Sequence, residues 1–188
     1  LTAIPVGFSA GLFGIGGGLI SVPVLYYIFG ALGLSNDYLM HLAVGTSFAI
    51  IVPTSISSVL AHHKFKAVDF NIVKTYGLYA ILGAILGTIF TSTLKTEQLI
   101  LFFVIVTFFL GVYLIFLKEK KIESNLNFKI YYKIFFGFVS GFISAPMGIG
   151  GAIMNVPVLK FFGFSINRAI GSAAAVGFLI ATTACIGF

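Results

Sequence analysis

The sequence predicts an all-α polytopic membrane protein, and three observations lead to this fold class. Hydrophobic residues make up 59% of the chain and charged residues only 9%, whereas a soluble domain carries about 25% charged residues. The mean hydropathy is +1.12, and no charged residue precedes Asp37. The apolar segments are continuous and close to the roughly 20 residues that an α-helix needs to cross a bilayer. Continuous runs are not the alternating pattern of a transmembrane β-barrel.

Six hydrophobic segments follow one another along the chain. They cover about residues 2–29, 39–61, 70–92, 98–117, 130–162 and 169–188. A charged linker at 118–128 divides them into two groups. We expect residues 1–117 to form a first membrane repeat of about four segments. Residues 129–188 would form a second, truncated repeat of about two, with two further spans expected after Phe188.

A glycine-rich, proline-ended motif occurs in both groups. Residues 14–25 read GIGGGLISVPVL and residues 148–159 read GIGGAIMNVPVL, with eight of the twelve positions identical. Residues 41–46 align with residues 167–172 in the same order. The sequence therefore predicts two homologous repeats, each of which opens with a glycine-broken hydrophobic segment. Interrupted segments at matching places in two halves are typical of the binding site of a secondary transporter.

The glycines predict a break in the helix and an anion site at the break. Each glycine costs a helix about 1 kcal/mol relative to alanine, and backbone groups freed in lipid need partners. A half-helix that starts near Gly17 would point free N–H groups and a positive dipole end into the bilayer. The alternative for small residues is close helix packing, which we expect for the pairs Gly83-xxx-Gly87 and Gly137-xxx-Gly141.

The candidate binding residues are backbone amides of the two motifs and neutral side-chain donors near them. They are Gly16, Gly17, Gly18, Ser21, Thr46, Gly150, Gly151, Ala152, Asn155 and Ser172. Neutral donors suit an anion that must be released again. No Asp or Glu lies deep in a segment, so a carboxylate proton relay is unsupported. The chain carries no motif for hydrolysis, zinc or dinucleotide binding, so we expect no catalytic residue, metal or cofactor.

The basic residues distinguish two topologies. If every segment crosses the membrane, the Lys and Arg residues divide seven to three between the two sides, with Lys74 left out because it lies inside a segment. If segments one and five return to the side they entered, the division is nine to one, and the halves become inverted repeats. A third option keeps segment one as a kinked helix of about 28 residues, or about 42 Å. The pI near 9.5 is explained by Lys and Arg residues in the loops between membrane segments, so no nucleic-acid partner is expected.

The paired motifs, together with the following AVGTS and AIGSA elements, resemble the TauE/SafE family of membrane anion exporters. The resemblance runs over the whole chain, with Ala152 as a departure from the glycine run. It implies seven or eight membrane segments in two repeats and a location in the plasma (inner) membrane of a prokaryote. It also implies export of sulfite or organosulfonates such as sulfoacetate. The expected partners are a small anion and the lipid bilayer, and assembly with identical chains is left open. An anion-selective channel and a non-transporting membrane scaffold are the alternatives.

Overall fold

The computed structural model describes residues 17–116 and 129–188, and within these ranges it is entirely α-helical. The helices are α1 (Gly18–Ala31), α2 (Leu39–Lys64), α3 (Phe70–Ser92), α4 (Thr96–Phe116), α5 (Ile130–Met147), α6 (Ala152–Phe161) and α7 (Ile166–Gly187). Five of them, α2, α3, α4, α5 and α7, are long and apolar enough to cross a membrane, whereas α1 and α6 are shorter apolar helices. The all-α membrane fold class is therefore confirmed. The relation between the two repeats stays a prediction.

The helix boundaries follow the hydrophobic segments closely. Helix α3 matches the predicted segment 70–92, and α2 continues three residues beyond the predicted end. Helix α7 begins at Ile166, before the predicted start at 169, because the polar residues Asn167 and Arg168 form its first turn. Residues 1–16 and the linker 118–128 lie outside the described residues. The division into 1–117 and 129–188 therefore stays a prediction.

Segment five is broken at its glycines. Helix α5 ends at Met147 and α6 begins at Ala152. Between them, Gly148 (φ 64°) and Gly151 (φ 70°) adopt left-handed backbone conformations. A residue with a side chain pays about 1–2 kcal/mol in this region, so glycine at these two positions allows the chain to leave one helix and begin another.

The break turns the chain back on itself. The ring of Phe162, directly after α6, lies 5.3 Å from the ring of Tyr132 and 6.0 Å from that of Phe136, both near the start of α5. Helix α6 therefore returns to the end of the bundle at which α5 begins. Its ten residues extend about 15 Å, half of a 30 Å hydrocarbon core. Segment five is thus re-entrant, as the nine-to-one topology requires.

Helices α3, α5 and α7 all begin at one end of the bundle, which we call the basic end. There the Lys133 ammonium donates to Thr75 Oγ1 (3.2 Å), and the Asp69 amide donates to Ser172 Oγ (2.9 Å). Among the described Lys and Arg residues, only Lys95 lies at the opposite end, the far end. The others lie at the basic end: Lys64, Lys66, Lys74, Lys129, Lys133, Lys160 and Arg168.

Close packing of α3 against α5 holds the re-entrant segment in place. A Cβ atom on Gly137 would lie 2.7 Å from the carbonyl oxygen of Tyr76, and one on Gly87 would lie 2.5 Å from that of Phe142. Only glycine lets the two backbones approach this closely. The predicted role of the two small-residue pairs is confirmed for Gly83, Gly87, Gly137 and Gly141.

Candidate functional site

The starts of the two half-helices, α1 and α6, lie beside the same glycine break. A Cβ atom on Gly18 would overlap the carbonyl oxygen of Gly148 and lie 2.9 Å from Ile149 Cα. Helix α1 then runs toward the far end, where a Cβ atom on Gly30 would lie 4.0 Å from Leu39 Cδ1. Helix α6 runs toward the basic end. The positive ends of two oppositely directed helix dipoles are therefore close together inside the bundle.

The first turn of α6 offers free backbone donors. The amides of Met154 and Asn155 donate to the carbonyl oxygen of Gly151, at 3.1 and 2.9 Å. The amides of Ala152 and Ile153 come too early in the helix to have such an acceptor. The N-cap residues Gly151 and Gly17 have no side chain, and within the described residues neither helix start has a side-chain cap. These N–H groups are the kind that bind anions at helix N-termini.

Two buried side-chain donors converge on the same place. Asn155 Nδ2 and Ser144 Oγ are both buried and have no hydrogen-bond partner among the described residues. A Cβ atom on Gly151 would lie 3.0 Å from Asn155 Nδ2 and 3.3 Å from Ser144 Oγ. Leaving a buried polar group unpaired costs about 1–3 kcal/mol. Both groups could donate to an acceptor at the start of α6, so we take this position as the candidate site. Ile180 closes it in this structure, because a Cβ atom on Gly151 would also lie 2.9 Å from Ile180 Cδ1.

The oxygen of the same carboxamide is already occupied. Tyr76 Oη donates to Asn155 Oδ1 at 2.7 Å, and Ser140 Oγ donates to it at 2.5 Å. The Tyr76 hydroxyl also lies 3.2 Å from the carbonyl oxygen of Phe136. Three helices, α3, α5 and α6, therefore fix the position of one amide group deep in the bundle.

The first-half polar residue Ser21 supports the break. Its hydroxyl lies 2.8 Å from Ser47 Oγ, and Ser47 Oγ donates to the carbonyl oxygen of Gly148 at 2.8 Å. Gly148 is the C-cap residue of α5, and the carbonyl groups at the end of a helix have no amide donor within that helix. The serine pair therefore satisfies a carbonyl group at the break.

Most of the predicted binding residues lie at the breaks, but two do not. Gly17, Gly18, Ser21, Gly150, Gly151, Ala152 and Asn155 are grouped there, and Gly16 lies outside the described residues. The structure places Thr46 and Ser172 away from the breaks. Ser172 Oγ accepts the Asp69 amide at the basic end. Thr46 lines a cavity of about 370 Å³ toward the far end, together with Tyr38, His41, Leu42, Gly45, Cys185 and Phe188.

The reason for this placement is helix rotation. Thr46 and Ser172 correspond in the sequence alignment, but alignment does not fix the direction of a side chain, which turns by about 100° from one helical residue to the next. The neighbouring residue, Ser47, is the one whose hydroxyl reaches the break.

Four polar residues of the site were not among the predicted binding residues: Tyr76, Ser140 and Ser144, with Ser47 at the break. Ser140 and Ser144 carried a signal, because residues four apart lie on one face of a helix and Ser144 precedes the second motif by four positions. Nothing in the sequence around Tyr76 marks it. Within residues 17–116 and 129–188, no group of His, Cys, Asp and Glu side chains could hold a metal ion.

Comparison with known proteins agrees with the fold. The chain matches the model of the family described as "Sulfite exporter TauE/SafE" over residues 1–188. It is 33% identical over 182 residues to a probable membrane transporter protein of Haemophilus influenzae, covering 97% of this chain and 69% of the relative. It is 29% identical to one from Methanocaldococcus jannaschii, covering 91% and 64%. A third, from Xylella fastidiosa, is 28% identical, covering 92% and 66%.

The chain thus spans about two thirds of the length of these relatives. No solved structure is significantly similar to it. The relatives bear the name of membrane transporters, in agreement with the spanning helices and the re-entrant, glycine-broken segment. The whole-chain match to the family model and the relative at 33% identity show that this chain belongs to the TauE/SafE family of membrane transporters.

Proposed function

We propose that the protein exports a small oxyanion, such as sulfite or an organosulfonate like sulfoacetate, by alternating access across the plasma (inner) membrane of a prokaryote. The observation that carries this proposal is the pair of buried, unpartnered donors, Asn155 Nδ2 and Ser144 Oγ, beside the start of α6. The chemistry of the site supports an anion, and the choice of sulfite or an organosulfonate rests on the family description, which names sulfite exporters.

The donor set suits an oxyanion that binds and leaves. Each hydrogen bond to a charged group contributes about 1.5–3 kcal/mol, and the dipole of a helix adds up to about 2 kcal/mol at its N-terminus. Asn155, Ser144 and the Ala152 amide are all neutral donors. They stabilise the charge of the anion without a fixed cation, which would hold the substrate more firmly than export allows.

The packing around the glycines supports alternating access. A Cβ atom on Gly151 would lie 2.9 Å from Ile180 Cδ1 of α7, and one on Gly150 would lie 3.1 Å from Ile51 Cγ2 of α2. Apolar side chains of two spanning helices therefore cover the break. Movement of either helix would uncover it, and α1 and α6 lead from it toward opposite ends of the bundle. This is the arrangement of discontinuous helices around a central site in secondary transporters.

The distribution of charge supports an orientation of the protein in the membrane. Cytoplasmic loops of membrane proteins carry an excess of Lys and Arg, and the basic end holds every described Lys and Arg residue except Lys95. We therefore place the basic end in the cytoplasm. The anion would enter there and leave at the far end.

The test is efflux of sulfite and of sulfoacetate from proteoliposomes that contain the full-length protein, with and without a pH gradient. Saturable efflux of either anion is expected, and its response to the gradient would report proton coupling. Asn155→Leu, which keeps the branched shape of the side chain but removes its hydrogen-bonding groups, should reduce efflux, whereas Asn71→Leu at an exposed position should not. A folded wild-type protein that moves neither anion would overturn the proposal.

The same preparation separates the two alternative functions. An anion-selective channel would give large single-channel currents and a flux that does not saturate. A non-transporting scaffold would show no stabilisation of the purified protein by sulfite.

A further inference from the structure

The carboxamide of Asn155 is held in one orientation by two hydroxyl groups. Tyr76 from α3 and Ser140 from α5 both donate to its oxygen, at 2.7 and 2.5 Å. Both of these residues are as deeply buried as Asn155. An amide oxygen has two lone pairs, so the two donors saturate it. The NH₂ group is then directed to the other side, toward Ser144 and Gly151.

This orientation affects what the site can bind. With its oxygen held by hydroxyl groups, the carboxamide presents hydrogen-bond donors to the space beside Gly151. The reverse orientation would present an acceptor there, which repels an anion and attracts a cation. The orientation of this buried amide therefore adds to the preference for anions that the N-terminus of α6 provides.

We propose that Tyr76 and Ser140 are positioning residues that fix the Asn155 NH₂ group toward the bound anion and thereby strengthen the preference of the site for anions. Neither residue touches the anion in this account, and the inference rests on the proposed function. It deepens that function, because it assigns part of the selectivity of the site to a hydroxyl pair contributed by two other helices.

Tyr76 is well placed for such a role because it links the spanning helix α3 to the re-entrant helix α6. Its hydroxyl has a second acceptor, the carbonyl oxygen of Phe136 at 3.2 Å. Removing the hydroxyl from Tyr76 leaves the ring in place, fully buried between α3 and its neighbours. The substitution Tyr76→Phe therefore releases the amide of Asn155 with little change in packing.

The experiment measures sulfite efflux by Tyr76→Phe and Ser140→Ala in the full-length protein, with sulfite affinity measured separately by its effect on the melting temperature. Loss of one neutral hydrogen bond that orients the amide is expected to raise both the KM and the Kd for sulfite about 3- to 10-fold. The maximal rate should stay within about twofold, because the bound state, once formed, is unchanged. Tyr79→Phe on the same helix and Ser57→Ala at an exposed position serve as controls.

A purely structural role would show itself differently. It would lower the melting temperature of the ligand-free protein and leave the KM unchanged. Ser140→Thr, which keeps a hydroxyl group, should restore the wild-type KM if orientation of the amide is the cause. An unchanged KM in both Tyr76→Phe and Ser140→Ala, with Asn155→Leu impaired, would overturn this inference and leave the proposed function standing. Failure of the wild-type protein to move any anion would instead overturn the proposed function.

Discussion

The substitution Gly151→Ala tests both the backbone of the break and the position of the anion. Gly151 has a φ of 70°, where alanine pays about 1–2 kcal/mol. The new methyl group would also lie 3.0 Å from Asn155 Nδ2 and 3.3 Å from Ser144 Oγ, in the space that we assign to the anion. Blocking two hydrogen bonds to a charged ligand, at about 1.5–3 kcal/mol each, should weaken anion binding at least about 100-fold.

Gly33→Ala is the matched control. Gly33 has a φ of 76°, and a Cβ atom there would have no neighbour within 4 Å. Gly33→Ala should therefore lose about 1–2 kcal/mol of stability, or roughly 2–8 °C in melting temperature for a chain of this size. Gly151→Ala should lose more, because its Cβ atom would also lie 2.9 Å from Ile180 Cδ1. Only Gly151→Ala should lose the stabilisation by sulfite, measured as the shift of melting temperature in detergent. Equal sulfite affinity in the two variants would refute the assignment of the site to Gly151.

Two further predictions concern the packing and the topology of the chain. Gly177→Ala should lower stability by about 1–3 kcal/mol because its Cβ atom would overlap the carbonyl oxygen of Gly150, whereas Gly111→Ala, with no neighbour within 4 Å, should be neutral or slightly stabilising. Thermal unfolding in detergent measures both, and a tolerated Gly177→Ala would contradict the close approach of α7 to the break. In a Cys185→Ser background, Lys160→Cys should react with a membrane-impermeant thiol reagent from the cytoplasmic side and Lys95→Cys from the opposite side. Labelling of both from the same side would rule out the re-entrant topology.

Much of the fold could be predicted because a lipid bilayer restricts which backbone structures can cross it. Apolar runs of about 20 residues have few alternatives in lipid, which is why the 70–92 segment and helix α3 coincide. The break in segment five followed from consecutive glycines, and its return to the basic end followed from Lys160 and Arg168. These two residues lie on the charged side only if α6 turns back.

The site itself could be predicted only in part. Asn155 and Gly151 belong to the second glycine-rich motif and lie at the start of α6. Their partners Tyr76 and Ser140 come from other helices, and contacts between Tyr76 and Asn155 cross 79 residues of sequence. Such contacts form because the glycines of α3 and α5 let these two helices pack closely. The sequence pattern within one segment does not indicate which side chains of another helix it will meet. The position of Thr46 could not be predicted for a related reason. Its alignment with Ser172 in the predicted repeats does not determine the direction of its side chain.

The most direct measurement of the central claim is the position of a bound anion in the full-length protein. Selenite has the shape and charge of sulfite, and selenium can be located by its anomalous X-ray scattering. We predict a single anomalous peak beside Gly151, with selenite oxygens within hydrogen-bond distance of Asn155 Nδ2, Ser144 Oγ and the Ala152 amide. A peak in the far-end cavity beside His41 and Thr46 would contradict it, as would the absence of any peak at the break under saturating selenite.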